Sequence, residues 1–166
     1  MFYLDLFGAL QEEKVKYVVV GGLAINLHGV ERATMDVDLV LAMDDDNLRS
    51  FLNAARKLSL KPFLPVALES LCDAKQLEAW VQEKHLIAFS LQSLSPNLPT
   101  VDIIVRPAVS FEAMYRNRIQ KNVGGVQLNL ASIDDLITLK TGTGRKRDAS
   151  DIEALKIVRR ITGEEN

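Results

Sequence analysis

At 166 residues, 48% apolar and 25% charged, the chain has the make-up of an ordinary globule long enough to bury a real core. A formal net charge of −2 argues against a protein dominated by nonspecific attraction to nucleic acid, though it leaves room for a local basic patch. Cys72 is the only cysteine, so no intramolecular disulfide forms and a cytoplasmic location is expected. The opening Met-Phe-Tyr-Leu-Asp carries no basic leader, and residues 17–27 are too short and too interrupted by glycine to span a bilayer. No membrane partner is expected.

Phe2, Leu6 and Leu10 recur at helical spacing and predict an amphipathic helix over residues 2–13. Residues 17–20 predict a short buried strand, stopped by Gly21-Gly22 and followed by a short helix over 23–27. A second strand is expected over 37–41. Asp44, Asp45 and Asp46 precede a helix whose Leu48, Phe51, Leu52, Ala55 and Leu58 share one face. Acids in that place serve as caps and partners of the helix dipole rather than as metal ligands. Beyond Pro62 and Pro65, residues 74–83 predict a helix centred on Leu77 and Trp80, with both in the core. Residues 85–91 then predict a strand, 92–99 a loop, and 100–105 a β-branched strand ended by Pro107. Alternation over 126–130 predicts another strand. Ser132 then caps a helix, with Asp135 placed as in a capping box. The last helix is expected over about 149–161. These elements predict one domain over 1–166, of α/β (α+β) class, with a mixed β-sheet flanked by helices.

The chemistry is concentrated between residues 17 and 41. An apolar run ends in Gly21-Gly22, and a second one opens on Asp36-Val37-Asp38. Residues two apart on a strand face the same way, with α-carbons roughly 6–7 Å apart. Asp36 and Asp38 thus repel one another unless a cation lies between them. Asp102, in Thr-Val-Asp-Ile-Ile-Val, is a third acid, set in an otherwise apolar strand where an uncompensated carboxylate is costly. If that strand pairs beside residues 37–41, the three acids can share two divalent ions about 3.5–4 Å apart. Hard oxygen donors favour Mg²⁺ over zinc. His28 and His85 lack ligand partners at suitable spacing, and Cys72 reads as an inert buried thiol.

Lys140 follows Leu136 by four residues and Ile137 by three, so it shares the inward face of its helix. It either snorkels to solvent or meets an anion. Arg32 and Thr34 divide evenly between loop residues and phosphate contacts. Arg145, Lys146 and Arg147 read first as a solvated basic run, with an acceptor or RNA patch as the alternative.

Taken together, Gly21-Gly22, Arg32-Ala-Thr-Met-Asp-Val-Asp38, Asp102 and the segment from Lys140 through Arg145-Lys-Arg-Asp148 to Asp151 resemble the nucleotidyltransferase superfamily. The resemblance covers nearly the whole chain and is nearest to the small bacterial branch of AbiEii-type toxins. It implies the fold of DNA polymerase beta and kanamycin nucleotidyltransferase. Carried over, it implies that Asp36, Asp38 and Asp102 bind Mg²⁺, with Asp102 helping to activate an acceptor hydroxyl. Gly21, Gly22, Arg32, Thr34 and Lys140 would hold the nucleotide. Asp148, with Asp151, matches the closing motif of the toxin branch. Many relatives carry Gly-Ser where this chain has Gly21-Gly22, the serine contacting a phosphate. In larger relatives a C-terminal helical domain binds the acceptor, and this sequence contains no such segment.

The expected activity is therefore Mg²⁺-dependent transfer of a nucleoside monophosphate from an NTP to a hydroxyl on a protein, an RNA or a small molecule. The alternative is a non-catalytic nucleotide- or protein-binding module on the same scaffold, with a protein partner in a toxin–antitoxin-type complex.

Overall fold

A computed structural model describes residues 1–95 and 97–163. Its centre is a seven-stranded mixed sheet in the order β3-β4-β5-β2-β1-β7-β6. The strands are β1 Tyr17–Val20, β2 Val37–Leu41, β3 Leu60–Pro62, β4 Ala88–Ser93, β5 Val101–Ile104, β6 Ile119–Val123 and β7 Val126–Leu130. The helices are α1 Phe2–Glu12, α2 Gly21–Leu27, α3 Asp45–Lys57, α4 Ala74–Lys84, α5 Phe111–Arg116, α6 Ile133–Lys140 and α7 Lys146–Thr162. A short 3-10 helix spans Leu68–Cys72. The expected class, a mixed sheet flanked by helices, is the one observed.

The middle of the sheet is apolar because its strands are covered. All four residues of β1 are buried, and so are Val37, Leu39, Val40 and Leu41 of β2. Phe7 and Leu10 from α1 and Phe51 from α3 close over this layer and are fully buried with it. Covering a side chain of this size removes about 1.5–3 kcal/mol worth of apolar surface from water. Trp80 is half-buried against the margin of the core rather than within it.

Asn47 fixes α3 to the β1–β2 pair. Its side-chain oxygen accepts from the Lys16 amide at 2.7 Å, while its amide nitrogen donates to the carbonyls of Lys16 and Ala42 at 2.9 and 2.8 Å. The carboxylate of Asp44 accepts from the Asn47 backbone N–H, so the aspartate run caps α3 as expected. Ser132 likewise caps α6 through the Asp135 N–H.

Several boundaries differ from the sequence expectation. Gly21 and Gly22 begin α2 instead of separating it from β1. β2 spans Val37–Leu41 as expected, so Asp36 lies just before the strand that carries Asp38. Strand β4 starts at Ala88, because His85 takes a left-handed conformation that ends α4. Gln92 and Ser93 belong to β4 rather than to the expected loop, and Pro96 of that loop lies outside the described residues. α7 begins at Lys146, so Lys146, Arg147 and Asp148 are helical. The elements β3, β6, α5 and the 3-10 helix were not expected. β6 pairs with β7 as a hairpin turned by Gly124-Gly125, both with positive φ, as a two-residue turn requires.

Candidate active site

Strand pairing decides where the acids meet. β2 and β5 run parallel, with Asp38 directly beside Asp102, and neighbouring strands lie about 4.8 Å apart. Adjacent residues in register face the same way, so both carboxylates stand on one surface of the sheet, opposite the buried Leu39 and Ile103. On the far side of Asp102, Ser90 of β4 is its register partner, so its hydroxyl stands beside the Asp102 carboxyl on the same surface. Asp36 joins from the segment before β2. The Thr100 hydroxyl donates to its carboxylate at 2.7 Å, and the Val37 N–H donates to the Thr100 carbonyl.

The crowding has an electrostatic signature. Burial, then the charges of Asp102 and Asp36, push the Asp38 carboxyl up to about 6, against the pull of Lys140 and Arg32. Burial also raises the Asp102 carboxyl, with Asp36 adding to the rise and the Ser90 hydroxyl opposing it. Each carboxylate makes its neighbours harder to ionise, and a divalent cation relieves such a cluster. The donor set is carboxylate oxygen alone, which suits Mg²⁺. Among the described residues, no three His, Cys, Asp or Glu side chains are grouped closely enough to hold a metal ion by themselves. That still fits an ion which usually takes one or two protein carboxylates and draws its other ligands from phosphate and water.

Both glycines are required by their neighbours. Gly21 has φ +67°, and a Cβ placed there would stand 2.0 Å from the Asp38 Oδ2 atom. A Cβ on Gly22 would stand 2.6 Å from Arg32 Nη1 and 2.7 Å from Thr34 Oγ1. The Thr34 hydroxyl therefore fills the space where a serine side chain would begin. Arg32 and Thr34 reach that space from the loop between α2 and β2.

These residues line one cleft of about 730 Å³. Gly21, Gly22, Arg32, Thr34, Asp36, Asp38, Asp102 and Lys140 all border it. Every residue singled out for the site is thus in one place. Two features of the cleft go beyond the sequence reading, the first with no signal there and the second left open by it. One is a largely apolar wall of Ile87, Ala88, Ile104, Pro107 and Ala108. The other is the state of Lys140, whose ammonium lies 2.9 Å from Asp148 Oδ1 and 2.9 Å from Asp151 Oδ2. The basic run is also less detached than it reads. Arg145 pairs with Asp148 at 2.8 Å, and Arg147 donates to the carbonyl of Ala33.

A family model described as "Nucleotidyltransferase of unknown function (DUF6036)" matches residues 5–164. The chain belongs to this nucleotidyltransferase family. No curated protein is similar to it in sequence at a significant level. Solved structures share the fold. An antigenic nucleotidyltransferase-like protein from Paracoccidioides brasiliensis superposes with a TM-score of 0.58 at 21% identity, over 96% of this chain and 75% of that one. The lincosamide antibiotic adenylyltransferase LnuA, bound to lincomycin, gives 0.58 at 16% identity, over 95% and 94% of the two chains. ANT(2")-Ia, in complex with adenylyl-2"-tobramycin, gives 0.57 at 10% identity, over 98% and 95%. Among the described residues of this family member, no helix is long and apolar enough to cross a membrane.

Proposed function

We propose that this family member transfers a nucleoside monophosphate from an NTP to an acceptor hydroxyl and releases pyrophosphate. The observation that carries the proposal is the lateral pairing of Asp38 with Asp102, beside Asp36, on the floor of a cleft that Arg32 and Lys140 also border. Asp36, Asp38 and Asp102 would hold Mg²⁺, in one or two ions. When bound, Mg²⁺ offsets negative charge on the phosphates and lowers the pKa of a coordinated hydroxyl.

The chain's own groups divide the remaining work. Asp102 receives the proton of the acceptor hydroxyl as that oxygen bonds to the α-phosphorus. The bond from the α-phosphorus to the bridging oxygen breaks, and pyrophosphate leaves with the electron pair. Arg32, Thr34 and the Gly21-Gly22 backbone hold the triphosphate, with Lys140 supplying charge from α6. The lincosamide antibiotic adenylyltransferase LnuA, bound to lincomycin, and ANT(2")-Ia, in complex with adenylyl-2"-tobramycin, support a small-molecule acceptor. A protein or RNA hydroxyl remains equally compatible with the cleft. The resemblance of the sequence to AbiEii-type toxins adds a protein partner to the proposal, which would appear as a chain co-purifying with this one.

The test is incubation of wild type and Asp102→Asn with each α-labelled NTP, Mg²⁺ and a cell lysate, followed by identification of the labelled product. Label transferred by wild type, and reduced at least about a hundred-fold in the variant, is the expected result. Equal labelling by both proteins would remove Asp102 from the reaction. If nucleotide binds yet nothing is labelled under any condition, the non-catalytic module becomes the better reading.

A further inference from the structure

Two carboxylates on α7, Asp148 and Asp151, are 4% and 5% exposed and lie nearly one helical turn apart on the same face. Like charges buried this close are costly unless cations share them. Here three cations do. Lys140 touches both acids, Arg145 touches Asp148, and Arg32 Nε lies 3.4 Å from Asp151 Oδ1. The Thr143 hydroxyl donates to Asp148 at 2.7 Å. The cluster keeps one positive charge in excess, and that excess borders the cleft.

The direction of Arg32 is the informative detail. Its Nε side faces Asp151, while Nη1 lies over the Gly22 backbone inside the cleft. A guanidinium is a rigid planar fork, so an anchor at Nε determines where the terminal nitrogens point. Its loop is secured twice more. The Arg32 N–H donates to the Asn26 side chain at 3.2 Å, and Arg147 of α7 donates to the Ala33 carbonyl. Lys140 is held similarly, donating to Asp148 and lying 2.9 Å from Asp151 Oδ2, and it too borders the cleft.

We propose that Asp151, supported by Asp148, is a positioning residue that aims Arg32 and Lys140 at the triphosphate. The inference rests on the reading of this cleft as an NTP site. It makes a prediction opposite in sign to simple charge counting. Removing a carboxylate beside a polyanion site raises the local positive potential and should tighten binding. Loss of the anchor frees Arg32 to leave the Gly22 backbone and should weaken binding instead.

The experiment is equilibrium titration of ATP, GTP, CTP and UTP, each with Mg²⁺, onto folded wild type, Asp151→Asn, Arg32→Gln and the double variant. For the nucleotide that wild type binds, Asp151→Asn should bind about ten-fold or more weakly, the loss expected for one charge-assisted hydrogen bond. The loss in the double variant should be smaller than the sum of the two single losses, since Asp151 acts in part through Arg32 and in part through Lys140. Unchanged or tighter binding by Asp151→Asn would overturn the proposal, and fully additive losses would overturn the route through Arg32. Should Asp151→Asn fail to fold, Asp151→Glu serves in its place, because it keeps the charge but displaces the guanidinium. A measurable weakening supports the inference, and wild-type affinity overturns it. Wild type that binds none of the four nucleotides would reject the function of the cleft itself, an outcome distinct from the others.

Discussion

Gly21 and Gly163 separate two reasons for a glycine. Their φ values are nearly equal, +67° and +69°, so an alanine at either position meets similar backbone strain. That strain is about 1–3 kcal/mol for a non-glycine residue held in the left-handed region. Only at Gly21 would the new methyl also collide with a functional group, the Asp38 carboxylate. Gly163, which ends α7, has open space around it. Gly21→Ala should therefore lose both stability and Mg²⁺-supported nucleotide binding, whereas Gly163→Ala should lose stability alone. Denaturant unfolding and nucleotide titration of the two variants check this. Equal nucleotide binding by both would show that the Asp38 contact does not matter. The sequence suggested that Gly21-Gly22 belonged to the site, but not why. Asp38 and Thr34 come into contact with them only through tertiary structure, which no local spacing records.

At the scale of elements, the α6–α7 pairing joins the cleft to the end of the chain through Lys140, Asp148 and Arg145. Burial alone would raise the Asp148 carboxyl. Hydrogen bonds from Thr143 and Lys140, the Lys140 charge and Arg145 outweigh it and hold the group at about 2, below its ordinary 3.8. An acid depressed on folding stabilises the native state above its unfolded pKa and loses that contribution as pH falls through the folded value. The stabilisation should be complete above pH 3.8 and disappear on acidification toward about 2. Unfolding free energies of Asp148→Asn should accordingly be lower than wild type at neutral pH and flatter below 3.8. Parallel pH curves for the two proteins would contradict this assignment. The sequence shows which helices exist far better than which of their charges meet. The helical face of α6 marked Lys140 as inward, and the partners came from the next helix.

Strands show the same division. β1, β2 and β5 are short apolar runs bounded by glycine, acid or proline, and all three could be read directly. β6 lies at the sheet edge as Ile-Gln-Lys-Asn-Val, half polar because only one side needs covering, so its pattern is weak. β3 is three residues ending at Pro62, too short for a period to register. α5 has six residues, less than two turns. Such elements exist because the neighbouring structure supports them, and their own sequence carries little of the signal.

For the whole molecule, the strand order is what makes a site out of distant residues. Placing β5 beside β2 sets Asp102 against Asp38, and placing β1 on the other flank brings Gly21 under the same carboxylate. Loop 28–36 and α7 then supply cations along one side, while the ends of β4 and β5 supply an apolar wall. The acids could be proposed from sequence because a charge within an apolar strand is itself anomalous. The wall could not, since its residues are ordinary strand and loop positions. The central claim is that the acids share a cation which carries the nucleotide. Its most direct test is nucleotide titration onto wild type and Asp36→Asn/Asp38→Asn, with Mg²⁺ and with EDTA. In Mg²⁺ the double variant should lose binding by at least about a hundred-fold. In EDTA it should bind as well as wild type or better, because two negative charges facing the phosphates have gone. Undiminished Mg²⁺-supported binding by the double variant would contradict the account.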